Sequence, residues 1–403
     1  VTHHRTDIIR EIEKFMNLWI DERGDPDDLS WDQTSLLAPP VEVGGNQLIV
    51  TSRIVGYHSA PLSGNLTHVT IESMEEKAIR HFCDLWTEQV YLKEYAHELA
   101  PQQIKEMAAE EAEALKAAIF DESKPLVKDL ATNPLLVTIL ALVFRHQNRK
   151  LPQSRAELYE RALTILLEKW RENIPISKEE LWHVLAPLAA RIHGSSTDDI
   201  RETDLIETIK KSLGLVRGHT DKDIQKTDFS DEVALFLKRI REDVGIITER
   251  GNNLYHFLHR TFQEFLAGQY LIGNKRSTPE ARDIQIAKKN IISRLSDPIW
   301  REPILLGLGA VDLNWPSDKS EELIKELLAA DDPLKDLIPR SALLVAGAIT
   351  EMTRLNDETV HDIIVQLLEA YSDYKGLGRF EVVKDQIEKV LVQLYKSDKK
   401  NIL

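Results

Sequence analysis

The chain has 403 residues, 42% hydrophobic and 29% charged, the composition of a globular protein with room for two or three domains. Asp and Glu outnumber Lys and Arg by 66 to 51, a net charge of −15. An acidic surface repels phosphate backbones and anionic lipid, which argues against nucleic acid or membrane as the main partner while leaving room for a local basic patch. One cysteine, Cys83, excludes an internal disulfide and fits a reducing, cytoplasmic location. Its place in the helical stripe Ile79 to Trp86 reads as a core thiol rather than a nucleophile.

The chain opens on Val1, within a polar segment that already has helical spacing (Ile8, Ile9, Ile12, Phe15, Met16, Trp19, Ile20), which suggests a piece of a longer protein. A Gly-, Asp- and Pro-rich loop follows over 21–46. Gln47 to Ser52 and Val69 to Ile71 are brief apolar runs of the kind found in a covered parallel sheet. From Ser73 the pattern is helical. Capping boxes are expected at Ser73–Glu76, Ser154–Glu157 and Ser177–Glu180, and Asn133-Pro134 offers a cap followed by a first-turn proline. Helices are expected near 134–148, 155–172 and 178–193. The longest apolar run, Leu135 to Phe144, is too short to span a bilayer.

Leu205–Leu213 and Val233–Val244 read as helices, and 245–249 with 254–258 as a hairpin about a turn at 250–253. Helices followed by a hairpin outline a winged helix. The next helix, about 259–272, carries Phe262, Phe265, Leu266 and Tyr270. After Thr278-Pro279, helices near 280–295, 301–312, 318–330, 334–354, 357–371 and 380–396 suggest a degenerate helical solenoid.

No Gly-x-x-x-x-Gly-Lys-Ser/Thr loop is present, so the phosphate cradle is missing. Ile304 to Asp312 superficially resembles an acidic Walker B strand, but its neighbours Trp300, Glu302 and Pro303 fit a buried helix. Three other segments carry chemistry. Leu48 to Arg53 is a buried strand ending in Thr51, Ser52 and Arg53, a cation at the carboxyl edge of a sheet, where ligands bind and where an arginine can meet phosphate charge. Asn133-Pro134-Leu135-Leu136 opens a helix whose proline and leucines could wall a base. Phe257 to Ala267 places His259 where the hairpin enters a helix, and helix N-termini attract phosphate. His256 and His259 lack the third ligand a metal needs.

In this order and spacing, the three segments resemble the NACHT branch of the signal-transducing ATPases with numerous domains. In that family a strand ending Thr-Ser-Arg carries the sensor arginine, a helical domain supplies a proline against the adenine, and a winged helix ends in Phe-x-His-x-x-Phe-Gln-Glu, whose histidine reaches the nucleotide phosphate. The resemblance puts those roles on Arg53, Pro134 and His259. Leu151-Pro152 before Ala156 to Tyr159, and Trp86, also resemble the family; Ile54 departs from its usual proline.

The resemblance implies a mainly α fold. Residues 1–72 would be the C-terminal remnant of a P-loop α/β nucleotide-binding domain, 73–176 helical domains, 177–272 the winged helix, and 273–403 a helical, HEAT-like sensor or scaffold. It implies an ATPase parent switched by ATP/ADP with Mg2+. Thr51, Ser52, Arg53, Pro134, Leu135 and His259 would contact the nucleotide, and no metal ligand is expected in this chain. Without the cradle, the chain alone is expected to bind nucleotide weakly and to lack ATPase activity. Expected partners are an N-terminal P-loop segment, further copies on activation, and an unknown stimulus on the helical tail, in a setting such as defence. Two other readings remain: a helical scaffold or adaptor indifferent to nucleotide, and a winged-helix DNA-binding regulator. The acidic balance and the Asp204-Leu205-Ile206-Glu207 stretch oppose the second.

Overall fold

The computed structural model describes residues 71–396 apart from 123, 171–175, 196–197, 243–245, 250–252, 275–277, 331–338, 350, 353 and 374–380, together with residues 10–12, 14, 50, 62 and 69. The chain forms two compact units, Val1–Ser73 and Met74–Leu403. In the first, residues 10–12 and 14 are helical; of the expected buried strand over 47–52 only Val50 is among the described residues, and it is exposed and not in a strand. The expected strand at 69–71 is not formed at Val69 or Ile71. Both side chains are largely exposed, so no burial rewards an extended apolar run there.

The second unit is built of helices around one small sheet. It opens with α1 (Glu76–Tyr95), α2 (Pro101–Ile119), α3 (Pro125–Ala131), α4 (Pro134–His146), α5 (Arg155–Trp170) and α6 (Lys178–His193). In α1, Ile79, Cys83, Thr87 and Tyr91 recur every fourth residue and are buried, a single apolar stripe. Burial pushes the Cys83 thiol up to about 11, so it stays protonated and unreactive. The box at Ser177 forms in full and that at Ser154 only by half: each hydroxyl accepts an amide three residues on, at 3.2 Å. Glu180 returns to the Ser177 amide at 2.6 Å, whereas Glu157 returns to Gln153 at 2.7 Å. The box at Ser73 does not form. The helix starts at Glu76 with Glu75 at its cap and no side chain capping it, because the Met74 amide is drawn to the Thr132 carbonyl at 2.7 Å.

The winged helix comprises β1 (Ile200–Arg201), α7 (Glu202–Val216), α8 (Asp221–Ile224), α9 (Ser230–Glu242), β2 (Ile247–Glu249), β3 (Leu254–Phe257) and α10 (Arg260–Leu271). The sheet order is β1-β3-β2, both pairings antiparallel, with Ile247 opposite Phe257 and Ile200 opposite Tyr255. The hairpin follows the sequence expectation; β1 does not appear in the sequence pattern, since two residues show no alternation.

The tail holds α11 (Ala281–Ile292), a 3-10 turn (Pro298–Trp300), α12 (Arg301–Asn314), α13 (Ser317–Leu328), α14 (Arg340–Ala348), α15 (Asp357–Asp373) and α16 (Glu381–Lys396). Two boundaries differ from expectation. Thr278-Pro279 does not start α11; the helix begins at Ala281, where the Asp283 carboxylate accepts the Glu280 amide at 2.9 Å. The expected helix over 334–354 is shorter, Arg340–Ala348, with 331–338 outside the described residues. Asp312 in the Walker-B-like stretch lies inside α12, 1% exposed, and accepts the Arg354 amide at 3.2 Å. It is a structural carboxylate.

The core is continuous from α1 to α16. At its centre α10 crosses α12 with almost no separation. A Cβ on Gly268 would stand 2.4 Å from the Pro303 carbonyl oxygen, and one on Gly307 would stand 2.9 Å from the Gly268 oxygen. Only two glycines admit this backbone contact. Trp182 of α6 meets Phe265 edge-on at 6.2 Å, and Tyr159 of α5 meets Phe262 at 6.1 Å. α10 of the winged helix and α12 of the tail are therefore packed as one body.

Candidate functional site

Thr51, Ser52 and Arg53 lie outside the described residues. The other candidates stand at two helix starts. At α4, the Asn133 carboxamide oxygen accepts the amides of Leu135 at 2.9 Å and Leu136 at 3.3 Å. Pro134, which has no amide to satisfy, fills the first helical position. Its ring is exposed, and Leu135 is half-buried against the core. An apolar ring in solvent beside a rigid turn is an available flat surface, and nothing in its packing requires proline beyond the helix start.

His259 caps α10. The Leu258 amide donates to the Ile246 carbonyl at 2.8 Å, so the hairpin delivers His259 in extended conformation, φ −140° and ψ 140°, directly before the helix. Its Nδ1 accepts the Thr261 amide at 3.2 Å and lies 2.9 Å from the Thr261 hydroxyl. An accepting Nδ1 carries no proton, so the neutral ring bears its hydrogen on Nε2. Burial holds the His259 pKa below its ordinary value of 6.5, against the opposing pull of the Glu264 carboxylate. At neutral pH the side chain is thus a neutral donor at the positive end of a twelve-residue helix.

The helix that His259 caps is packed from α5. Tyr159 is 2% exposed, and its ring meets those of Phe262 and Phe265 in α10, both at 6.1 Å. Burial pushes its phenol up to about 12, so it remains a hydroxyl. Arg155, one turn earlier, joins Glu302 of α12 at 3.0 Å and also Glu351. Burial opposes the Arg155 charge, but the two carboxylates outweigh that and raise its pKa.

A second set of hydrogen bonds fastens α10 to α6 and the tail. The Gln263 carboxamide donates to His193 Nδ1 at 3.3 Å, and His193 Nε2 donates to the Ile299 carbonyl at 2.7 Å. Gln263 and His193 are 3% and 4% exposed, and His193 meets Trp300 edge-on at 5.0 Å. In the sequence Gln263 is legible only as part of the Phe257 to Ala267 segment, and Thr261, Tyr159 and His193 are not candidates. A hydroxyl two residues after a capping histidine was a usable local signal for Thr261; the partners on α5 and α6 had none.

His256 points to Asp199, Nδ1 to Oδ1 3.9 Å, and among the described residues no group of three or more metal-capable side chains forms. The helix before the hairpin, α9, opens with Asp231 and Glu232, the latter bound by Arg217 at 3.0 Å; an acidic first turn repels a DNA backbone. No helix among the described residues is long and apolar enough to cross a membrane.

α4 and α10 do not meet each other through any hydrogen bond or ion pair among the described residues; each packs on α5. Pro134 and His259 are therefore tied through one helix rather than through direct contact.

Compared with known families, residues 155–271 match the winged helix-turn-helix domain C-terminal to NACHT. The matched stretch takes in Tyr159, His193, His259 and Gln263, and it begins with α5. Arg53 and Pro134 lie outside it. Compared with curated proteins, the chain matches none.

Proposed function

With residues 155–271 forming the winged helix-turn-helix domain found C-terminal to NACHT, the chain is a NACHT-family protein, and we propose that it serves a nucleotide-switched signalling ATPase whose ADP/ATP exchange controls domain opening and oligomerisation. The observation that carries this is the His259 corner. A neutral imidazole whose Nδ1 is occupied by Thr261 has only Nε2–H to offer, and it offers it at a helix N-terminus, where backbone amides favour a phosphate. Those residues fit a nucleotide phosphate. His259 would donate to a phosphate oxygen, Pro134 and Leu135 would wall the base, and Thr51, Ser52 and Arg53 would face the terminal phosphate. Bound ATP with Mg2+ would supply the hydrolysable bond that resets the switch.

In this reading residues 1–72 end the nucleotide-binding domain, 73–176 are helical domains, 177–272 the winged helix and 273–403 the tail that receives the stimulus. Because α10 and α12 meet at backbone distance, force on the tail reaches His259 without an intervening hinge. A switch needs contacts that differ between two states, and a hydrogen bond from His259 to one nucleotide and not the other is such a contact.

The test uses a protein in which a Walker-containing segment precedes residue 1. His259→Asn keeps a capping acceptor but withdraws the Nε2 donor. It should weaken ADP binding about tenfold, as expected for one hydrogen bond of about 1.4 kcal/mol, with ATP binding less affected and oligomers forming without stimulus. Unchanged ADP affinity in a monomeric variant would return His259 to a purely capping role.

A further inference from the structure

Helix α1 is apolar on two faces. Toward the core, Ile79, Cys83, Thr87 and Tyr91 recur at every fourth residue. On the opposite face Ala78, Leu85 and Leu92 recur at every seventh, and all are exposed, the two leucines by 48% and 37%. Seven residues make close to two helical turns, so the three stand in one line along a helix about 30 Å long. Half-buried Phe82 flanks that line. The neighbouring helix α2 shows what a solvated face carries instead: Gln103, Glu106, Glu110 and Glu113 are all exposed there.

The charges beside this line are ordered along the helix. On one flank Glu75 stands at the start of α1 and Lys93 in its last turn. On the other flank His81 and Glu88 stand on either side of Leu85. Turning the helix end over end about Leu85 brings Glu75 level with Lys93 and His81 level with Glu88. The same rotation sets Ala78 against Leu92, small against large, and Leu85 against itself. A parallel pairing would set Ala78 on Ala78, leave Glu75 and His81 without an opposite charge, and align the two helix dipoles, which antiparallel pairing opposes.

We propose that the outer face of α1 is a dimer interface, on which α1 of a second copy of this chain packs antiparallel about Leu85. The two apolar lines leave water together, and Glu75 with Lys93 of the second copy fixes the register at both ends. One helix pair of this length falls at the small end of specific interfaces, below about 1,200 Å² in total, so the dimer is weak and depends on concentration. It involves no nucleotide contact. It therefore goes beyond the switch at His259, and the two can fail separately.

The 403-residue chain is followed by sedimentation equilibrium over a wide range of concentration, without nucleotide. A reversible monomer–dimer equilibrium is expected. Leu85→Ser/Leu92→Ser should stay monomeric throughout with an unchanged melting temperature, since neither side chain is in the core. Lys93→Glu should weaken the dimer roughly fivefold, because both symmetric pairs with Glu75 turn repulsive, and adding Glu75→Lys should restore it. A parent chain that is monomeric at every concentration overturns the proposal. So does a dimer that survives Leu85→Ser/Leu92→Ser, or a charge exchange that fails to restore pairing. Leu85→Cys tests whether the face is open. Cys83 is buried and stays protonated, so a thiol reagent reads position 85, fast in dilute monomer and slow as the dimer forms. Slow labelling of the dilute monomer would mean that the same chain covers this face, and it too overturns the proposal.

Discussion

Two seams hold the second unit together by opposite means. Where α4 meets the α1–α2 hairpin, the lock is charge. Arg145 reaches Glu111 at 2.9 Å and also Glu94, and its guanidinium lies 4.6 Å over the Tyr91 ring. Tyr91 donates to Glu111 at 2.6 Å, and beside it sits a small separate core of Tyr91, Ile104 and Ala108. Where α10 meets α12, the lock is shape: two glycines let backbones touch. A charged lock tolerates changes in volume but not the loss of a partner; a glycine lock is the reverse. The protein places its candidate phosphate contact, His259, on the helix that carries the glycine lock, where displacement is resisted most stiffly.

The comparison can be broken at either seam. The largest effect is expected from Arg145→Met, which leaves Glu111, 6% exposed, as an uncompensated buried carboxylate. A loss of roughly 3–5 kcal/mol should follow, read as a fall in the urea midpoint. Adding Glu111→Leu should recover most of it, because replacing both charges removes the desolvation cost along with the attraction. No recovery would mean that the seam depends on Arg145 packing rather than on charge.

Next is Gly268→Ala. The added methyl must displace the backbone of Pro303 and Gly307, at a net cost of about 1–3 kcal/mol despite better helix propensity. Urea unfolding at low and at about 1 M salt should show the same loss at both, because the crossing is backbone against backbone and involves no charge. A neutral or stabilising Gly268→Ala would show that the crossing has slack.

Asn133→Ala should cost about 1 kcal/mol by removing the cap of α4, measurable in the same unfolding experiment. Pro134→Ala should cost less, since its exposed ring packs little. A loss at Pro134 larger than at Asn133 would assign it a packing role that competes with the base-binding one.

The smallest effect concerns pH. The His259 pKa is lowered by burial, so the folded state favours the neutral ring. Its contribution to stability is complete above the ordinary value of 6.5. As pH falls below that value the unfolded chain takes up the proton first, and the contribution declines until the folded pKa is passed. The difference in stability between the parent chain and His259→Asn should therefore shrink between pH 7 and about pH 5. A difference independent of pH would mean that His259 titrates alike in both states.

Much of this architecture was legible from the chain alone, and for a local reason. Helix caps and apolar stripes act over three or four residues, so Asn133, Ser154 and Ser177 announce their helices, and the hairpin announces itself by alternation. The same logic misplaced Ser73, because a distant acceptor, the Thr132 carbonyl, took the Met74 amide. It missed β1, which exists only by pairing with β3.

The candidate site divides along the same line. Sequence by itself marked His259 as the junction of hairpin and helix, and Thr261 was near enough to be read with it. Tertiary structure alone decided that Tyr159 packs on Phe262 and Phe265 from another helix and that His193 joins Gln263 to the Ile299 carbonyl. Each of those contacts joins residues far apart in the chain. Periodicity and capping carry no information at that range, because what brings such residues together is the burial of apolar faces that lie between them.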